Sequence, residues 1–234
     1  MERRDLVIAG SGHASGGLYN LVKLSGNGKL YGDLDCLEIQ VQGNAAIEGS
    51  VKANTVHIAG KGHVAGGIEC EWMKVSGSVK IGGDVKCQEA TVRGRGLVKG
   101  SCAAEKVRVH GELDVGGDCS AERMEVEGHF TVGGLLNADY VEVKLLGPSR
   151  AKEMGGETIM VKRQGSSLFK KWFFPAELTA DVIEGDEIHL EYTTANTVRG
   201  NRVTIGPGCR IERVEYREAL ECDEEAKIGT IEKG

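Results

Sequence analysis

The chain has 234 residues, a formal net charge of −6 and 35 glycines. The mild acidity argues against a nucleic-acid-binding protein, because such proteins neutralise phosphates with clustered lysine and arginine. No apolar run reaches the roughly 18 residues of a membrane-spanning helix, and the first residues lead directly into a repeat, so we expect neither a membrane span nor a signal peptide.

The first predicted element, residues 6–143, repeats with a period of seventeen residues. Two sets of glycines recur at that interval, and self-similarity at a fixed period is the signature of a repeat architecture. We interpret them as structural glycines at the corners of successive coils, where glycine adopts positive φ without strain. The first set comprises Gly26, Gly43, Gly60, Gly77, Gly94, Gly111 and Gly128, and the second comprises Gly32, Gly49, Gly66, Gly83, Gly100, Gly117 and Gly134.

Apolar residues occur between these glycines in pairs at i and i+2, which places both members on one face of a β-strand. The pairs form columns with the same period, of which one comprises Ile39, Val56, Met73, Ala90, Val107, Met124 and Val141. Each coil therefore contains three short strands, and it pairs with its neighbours about 4.8 Å away. The sequence predicts an all-β fold, a right-handed parallel β-helix of about eight coils, since parallel crossover connections are nearly always right-handed.

The first coil begins with Leu6, Val7 and Ile8, and no capping segment precedes it in the sequence. A β-helix ends in a coil with unpaired backbone groups and exposed apolar columns, and such an edge recruits another chain unless it is covered. We therefore predict that these three residues form a self-association surface at the N-terminal end.

Residues 144–177 break the period and are predicted to form an irregular insert. The part from 158 to 176 is basic and aromatic and contains no acidic residue. Such residues can lie in a membrane interface beside anionic lipid, cap the open end of the β-helix, or contact a partner protein, and the sequence leaves these alternatives open. The candidate residues are Lys162, Arg163, Leu168, Phe169, Lys170, Lys171, Trp172, Phe173 and Phe174.

The repeat resumes with a shorter period over residues 178–216, where 183–190 matches 198–205 fifteen residues later. We predict two to three C-terminal β-helical coils in this region. Residues 217–234 are rich in acidic side chains and are predicted to be a solvated tail, with a last partial strand expected at Ile228 and Ile231.

The chain contains none of the motifs that would indicate an enzyme or a nucleotide-binding protein, such as a phosphate-binding Gly-rich loop or a nucleophile elbow. Five of the seven cysteines lie in inward columns, where they are interchangeable with alanine, valine or leucine. Free cysteines of this kind are typical of a reducing cytoplasm. We therefore predict no catalytic residue, no cofactor and no metal site. The inward cysteines are Cys36, Cys70, Cys87, Cys102 and Cys119.

The repeating unit V-x-G-x-[AVGL]-x-V-x-G resembles the bactofilin family, the polymer-forming bacterial cytoskeletal proteins. Residues 75–83 and 109–117 are two examples, and the resemblance covers about 6–143. It implies a right-handed β-helix that assembles end to end into non-polar filaments without nucleotide. It also implies a non-enzymatic cytoplasmic scaffold, often at the inner face of the cell membrane, that organises proteins of cell shape, motility or the envelope.

The partners expected from this resemblance are other copies of the chain, a paralogous subunit, and a peripheral membrane contact. Nucleic acid is not an expected partner. The alternative function is a capped β-helical adaptor or binding protein that acts within a hetero-assembly.

Overall fold

The fold is described from a computed structural model for residues 3–163 and 176–234. The chain divides into two compact units, Met1–Gly116 and Gly117–Gly234. Each unit is a stack of parallel β-strands, and no helix occurs among the described residues. The predicted all-β solenoid fold is therefore confirmed.

The first unit consists of short and long strands that wind through successive coils. From Val85 to Val115 two long strands continue around the corners of a coil, whereas the strands from Asn44 to Ile81 are interrupted there. The strands are β1 (Arg4–Ile8), β2 (Ser11–Leu24), β3 (Asn27–Val41), β4 (Asn44–Ile47), β5 (Val51–Ile58), β6 (Lys61–Val64), β7 (Ile68–Glu69), β8 (Trp72–Val75), β9 (Ser78–Ile81), β10 (Val85–Val98) and β11 (Cys102–Val115).

The second unit is built from longer strands, each stacked in parallel on the one before it. They are β12 (Cys119–Leu145), β13 (Ser149–Arg163), β14 (Leu178–Leu190), β15 (Thr193–Ile205), β16 (Arg210–Cys222) and β17 (Lys227–Lys233).

The register between coils reproduces the sequence period. Strand β10 pairs with β11 from Val85↔Cys102 to Val98↔Val115, a constant offset of seventeen residues. The offset between β14 and β15 is fifteen residues, as the shorter C-terminal repeat predicts. Each coil thus lies directly above the equivalent residues of its neighbour.

One irregularity in the first coil also has a structural cause. The register between β2 and β3 shifts between Ser15 and Gly17, and Gly17 has a φ of 140°. This bulge changes the offset from sixteen to seventeen residues. It explains why Gly10 precedes Gly26 by only sixteen residues.

The inward columns form the core of each unit. No side chain in one of these columns is more than 3% exposed. That column contains Val41, Ile58, Val75, Val92 and Val109. Phe130, which is 0% exposed, lies in the core of the second unit. Since one coil cannot bury its apolar side alone, this core stabilises each stack collectively.

The glycines at the corners are required for two reasons, of which the sequence suggests one. Among the first set, positive φ occurs at Gly94, Gly111 and Gly128. At Gly77 the constraint is steric, because an added Cβ would lie 2.2 Å from the carbonyl oxygen of Gly60 in the preceding coil. The equivalent distances are 2.2 Å at Gly43, 2.0 Å at Gly60, 2.2 Å at Gly94 and 2.3 Å at Gly111.

The second set of glycines makes room for a polar corner. The Asp84 carboxylate accepts a hydrogen bond of 2.8 Å from the backbone N–H of Ser101 in the next coil. A Cβ at Gly100 would lie 2.1 Å from that same carboxylate oxygen. Asp118 repeats the arrangement, accepting from the N–H of Leu135 at 2.9 Å beside Gly134. These corner carboxylates therefore have a structural role.

Two of the predicted boundaries require correction. Residues 149–163 of the expected irregular insert form β13, which pairs with β12 and β14 on its two edges. The expected acidic tail contains the end of β16, which was not predicted, and β17, which includes the partial strand expected at Ile228 and Ile231 and pairs in parallel with 210–216 of β16. In 149–163 the inward apolar residues keep the strand pattern although the period of the repeat changes. In 217–234 they keep it although the outward residues are acidic.

The cysteines are free thiols, and six of the seven are buried. Burial raises the pKa of Cys36 and of Cys209 to about 11, because the thiolate is poorly solvated there. Cys222, on β16, is the exposed one. It is therefore the thiol most accessible to reagents.

The steric account of the glycine columns predicts that Gly77→Ala destabilises the protein, because the new methyl group meets backbone that cannot move away without disturbing the stack. We expect a loss of about 1–3 kcal/mol, the usual cost of overpacking. Thermal unfolding followed by circular dichroism measures it.

The matched control is Gly96→Ala, whose added Cβ would lie 3.1 Å from the end of the flexible Leu113 side chain. We expect little change for this variant. Equal effects of the two substitutions would contradict the proposed role of backbone contact between coils.

Candidate self-association surfaces at the ends of the solenoid units

The N-terminal coil leaves one edge of the first unit open. Strand β1 pairs with β2 through Leu6↔Val22 and Ile8↔Leu24, and no other described strand packs along β1. Leu6 and Ile8 are half-buried, whereas Val22 and Leu24 are each 0% exposed. The apolar columns of the core therefore continue to this end and are only partly covered there.

The three residues predicted for this surface do not all lie on the same side. Val7 lies between the two inward residues, and it is 60% exposed. Because neighbouring residues of a strand point to opposite faces, its side chain lies on the outside of the coil. Leu6 and Ile8 are thus the end-facing part of the predicted surface.

Polar side chains fix this coil in place without covering its open edge. The Arg3 guanidinium donates to the Tyr19 carbonyl at 3.0 Å and forms an ion pair of 2.8 Å with Asp35. The Asp5 carboxylate accepts from the Asn20 side chain at 3.1 Å and from the N–H of Leu21 at 3.3 Å. The end surface is consequently an ordered part of the fold.

The C-terminal coil leaves a second open edge, which sequence reasoning missed. Strand β17 pairs with residues 210–216 of β16, and no described strand covers 219–222. Leu220 is half-buried and Cys222 is exposed, whereas Val203 and Ile205, their partners in β15, are 2% and 0% exposed. Ile231 on β17 is 53% exposed.

A signal for this second surface is present in the sequence. Leu220 and Cys222 repeat the i, i+2 pair of Val203 and Ile205 seventeen residues later. The acidic residues between and after them conceal that pair.

The sides of the second unit carry ion pairs between successive coils. Arg199 donates to the carboxylates of Glu215 at 2.6 Å and Glu184 at 3.2 Å, which lie on the coils above and below it. The hydrogen bond from Arg199 lowers the pKa of Glu215. These exposed pairs neutralise the lateral surface, although each contributes little stability on its own.

The basic aromatic segment lies mostly outside the described residues, which include only Lys162 and Arg163 of its candidates. Lys162 is exposed, and the Arg163 guanidinium stacks on the Tyr192 ring at 4.6 Å. The candidates outside the described residues are Leu168, Phe169, Lys170, Lys171, Trp172, Phe173 and Phe174.

The described residues contain no group of three His, Cys, Asp or Glu side chains that could hold a metal ion. Among them, no helix has the length and hydrophobicity that crossing a membrane requires.

The chain is similar in sequence to one protein family and to two proteins of Bacillus subtilis (strain 168). Residues 61–137 match the family described as "Bactofilin: Polymer-forming cytoskeletal". The chain is 59% identical over 230 residues to the uncharacterized protein YhbE of Bacillus subtilis (strain 168), a match that covers 97% of each protein. It is 49% identical over 80 residues to the uncharacterized protein YhbF of the same organism, which covers 34% of this chain and 33% of YhbF. No solved structure matches the chain.

Proposed function

The chain belongs to the bactofilin family of polymer-forming cytoskeletal proteins, and on that basis we propose that it is a scaffold whose open solenoid ends stack on other copies. The observation that carries the proposal is the partial exposure of the core columns at the ends. Leu6 and Ile8 continue columns that are fully buried one coil further in.

Stacking requires no nucleotide in this proposal, because the driving force is already present in the ends. Each open edge offers backbone N–H and C=O groups for strand addition, and its apolar columns gain burial when another coil covers them. Burial contributes about 25 cal/mol per Å² of apolar surface removed from water. The resulting polymer or oligomer is non-enzymatic and organises proteins of cell shape, motility or the envelope.

We place this scaffold in the cytoplasm, at the inner face of the cell membrane. The composition of residues 158–176 supports the membrane contact, because basic and aromatic residues without acids bind anionic lipid surfaces. A paralogous subunit could share the same end contacts, since any coil with this repeat presents the same backbone edge. The adaptor in a hetero-assembly becomes the preferred function if the ends do not self-associate.

The stacking proposal predicts that Leu6→Gln with Ile8→Gln abolishes or shortens filaments that the wild-type protein forms without nucleotide. Glutamine side chains at these positions would be buried without partners when another coil stacks on the first one. Negative-stain electron microscopy at matched protein concentrations measures the effect, and circular dichroism verifies that the variant is folded.

Val7→Gln is the matched control, because it places the same side chain on the outside of the same strand. We expect its filaments to resemble those of the wild type. Uniform small particles for the wild-type protein, or unchanged filaments for the double variant, would refute stacking at this end and favour the hetero-assembly adaptor.

The membrane proposal predicts that the protein floats with anionic phosphatidylglycerol vesicles but not with neutral phosphatidylcholine vesicles. A variant with Trp172→Ser, Phe173→Ser and Phe174→Ser should lose this binding, because it lacks the rings that enter the headgroup region. Trp72→Ser is the control, since Trp72 is 49% exposed on the first unit and lies outside the segment. Wild-type protein that stays unbound to both kinds of vesicle would rule out the contact.

A further inference from the structure

Two of the buried cysteines lie next to each other in adjacent coils of the first unit. The register of β7 with β10 pairs Glu69 with Lys86, and the residues that follow these two are Cys70 and Cys87. The backbone N–H of Cys70 donates to the carbonyl of Lys86 at 2.9 Å. Parallel strands lie about 4.8 Å apart, and a disulfide needs a Cα separation of about 4.4–6.8 Å, so the two cysteines are close enough to be bonded.

The side chains of these two cysteines interact directly through a hydrogen bond between the thiols. That hydrogen bond, together with burial, raises the pKa of the Cys70 thiol above its ordinary value. The same hydrogen bond lowers the pKa of Cys87, because the Cys70 S–H donates to the Cys87 thiolate. Since the thiolate is the form that attacks an oxidant, Cys87 is the attacking sulfur of the pair, and Cys70 is the second thiol beside it.

This pair is also more accessible than the other buried thiols. Cys70 and Cys87 are each 8% exposed, whereas none of the other four buried cysteines exceeds 4%. Cys70 lies between β7 and β8, at a corner where the strands of this part of the unit are interrupted. A small oxidant that diffuses along the surface therefore reaches this pair more readily than it reaches the thiols of the core.

Packing alone does not require two neighbouring cysteines at this place. Their column of the repeat holds alanine in the coils on either side, at Ala53 and Ala104. Cys36 shares the column, but its partners in the adjacent coils are Tyr19 and Ala53, so it has no thiol beside it. The same column thus contains both a paired and an unpaired buried cysteine.

We propose that Cys70 and Cys87 form a reversible oxidation site, which hydrogen peroxide converts to a disulfide between adjacent coils. The Cys87 thiolate attacks one peroxide oxygen, the O–O bond breaks, and a sulfenic acid and one water result. The Cys70 sulfur then attacks the Cys87 sulfur, the S–O bond breaks, and the hydroxyl group leaves as a second water with the remaining thiol proton. The two thiols are oxidised and the peroxide is reduced, and exchange with a small dithiol reverses the reaction.

The disulfide stabilises the part of the first unit that has the shortest strands. It joins the region of β4 to β9, whose strands have two to eight residues, to the long strand β10, on which Cys87 lies. A covalent link of this kind stabilises a fold mainly by restricting the unfolded chain. The oxidation site lies within one copy of the chain, so it is independent of the self-association proposed above.

Treatment of the Cys222→Ser variant with hydrogen peroxide tests the proposal, because this substitution removes the exposed thiol and leaves the six buried ones. Free thiols are then blocked with N-ethylmaleimide in denaturant, and the protein is digested with trypsin. Mass spectrometry should find the peptides 62–74 and 87–93 joined, and dithiothreitol should separate them. The oxidised protein should contain two fewer titratable thiols and unfold at a higher temperature than the reduced protein.

Cys36 is the internal control, since it lies in the same column without a thiol neighbour and should remain reduced. Cys70→Ala is the matched variant, because alanine already occupies this column in the adjacent coils, and it should lose the increase in unfolding temperature. Peptides 62–74 and 87–93 that stay unlinked, while Cys222 of the wild-type protein is oxidised under the same conditions, would overturn the proposal. Oxidation of Cys36 to the same extent as Cys87 would also overturn it.

Discussion

The close parallel stacking of one coil on the next is the constraint on which the whole structure depends. It fixes the register, because equivalent residues of successive coils hydrogen-bond to each other. It also selects glycine at the corner, since the carbonyl oxygen of Gly60 occupies the space that a Cβ of Gly77 would need. The buried aliphatic columns follow from the same stacking, because every inward side chain lies against the equivalent side chain of its neighbour.

The same constraint makes the ends of the units chemically unlike their sides. Laterally, outward side chains form ion pairs between coils, such as Arg199 with Glu184 and Glu215, and the backbone groups are already paired. At the ends, one backbone edge of the described stack is left unpaired, and Leu6 and Leu220 continue core columns with nothing described above them. The proposed self-association through such ends extends the interaction that forms the fold, and it needs no separate binding site.

Sequence reasoning predicted the fold well because the repeat is long and its inward residues alternate strictly. It gave positive φ as the reason for the corner glycines, which holds at Gly94, Gly111 and Gly128, and it missed the steric reason because contacts between coils are not visible in one coil's sequence. It also interpreted 217–234 as a tail, because outward acids obscured the pair of Leu220 and Cys222. The segment 149–163 was misjudged for a related reason, as a change of period hides a strand that still pairs on both edges.

Hydrogen exchange measured by mass spectrometry tests most directly whether the open ends carry the assembly. Amides at an unpaired strand edge exchange rapidly, and they become protected once another strand pairs with them. For assembled wild-type protein compared with the Leu6→Gln, Ile8→Gln variant, we predict added protection in β1. Protection in β10 should be equal in both samples. Added protection confined to the sides of the coils, with unchanged ends, would contradict the account.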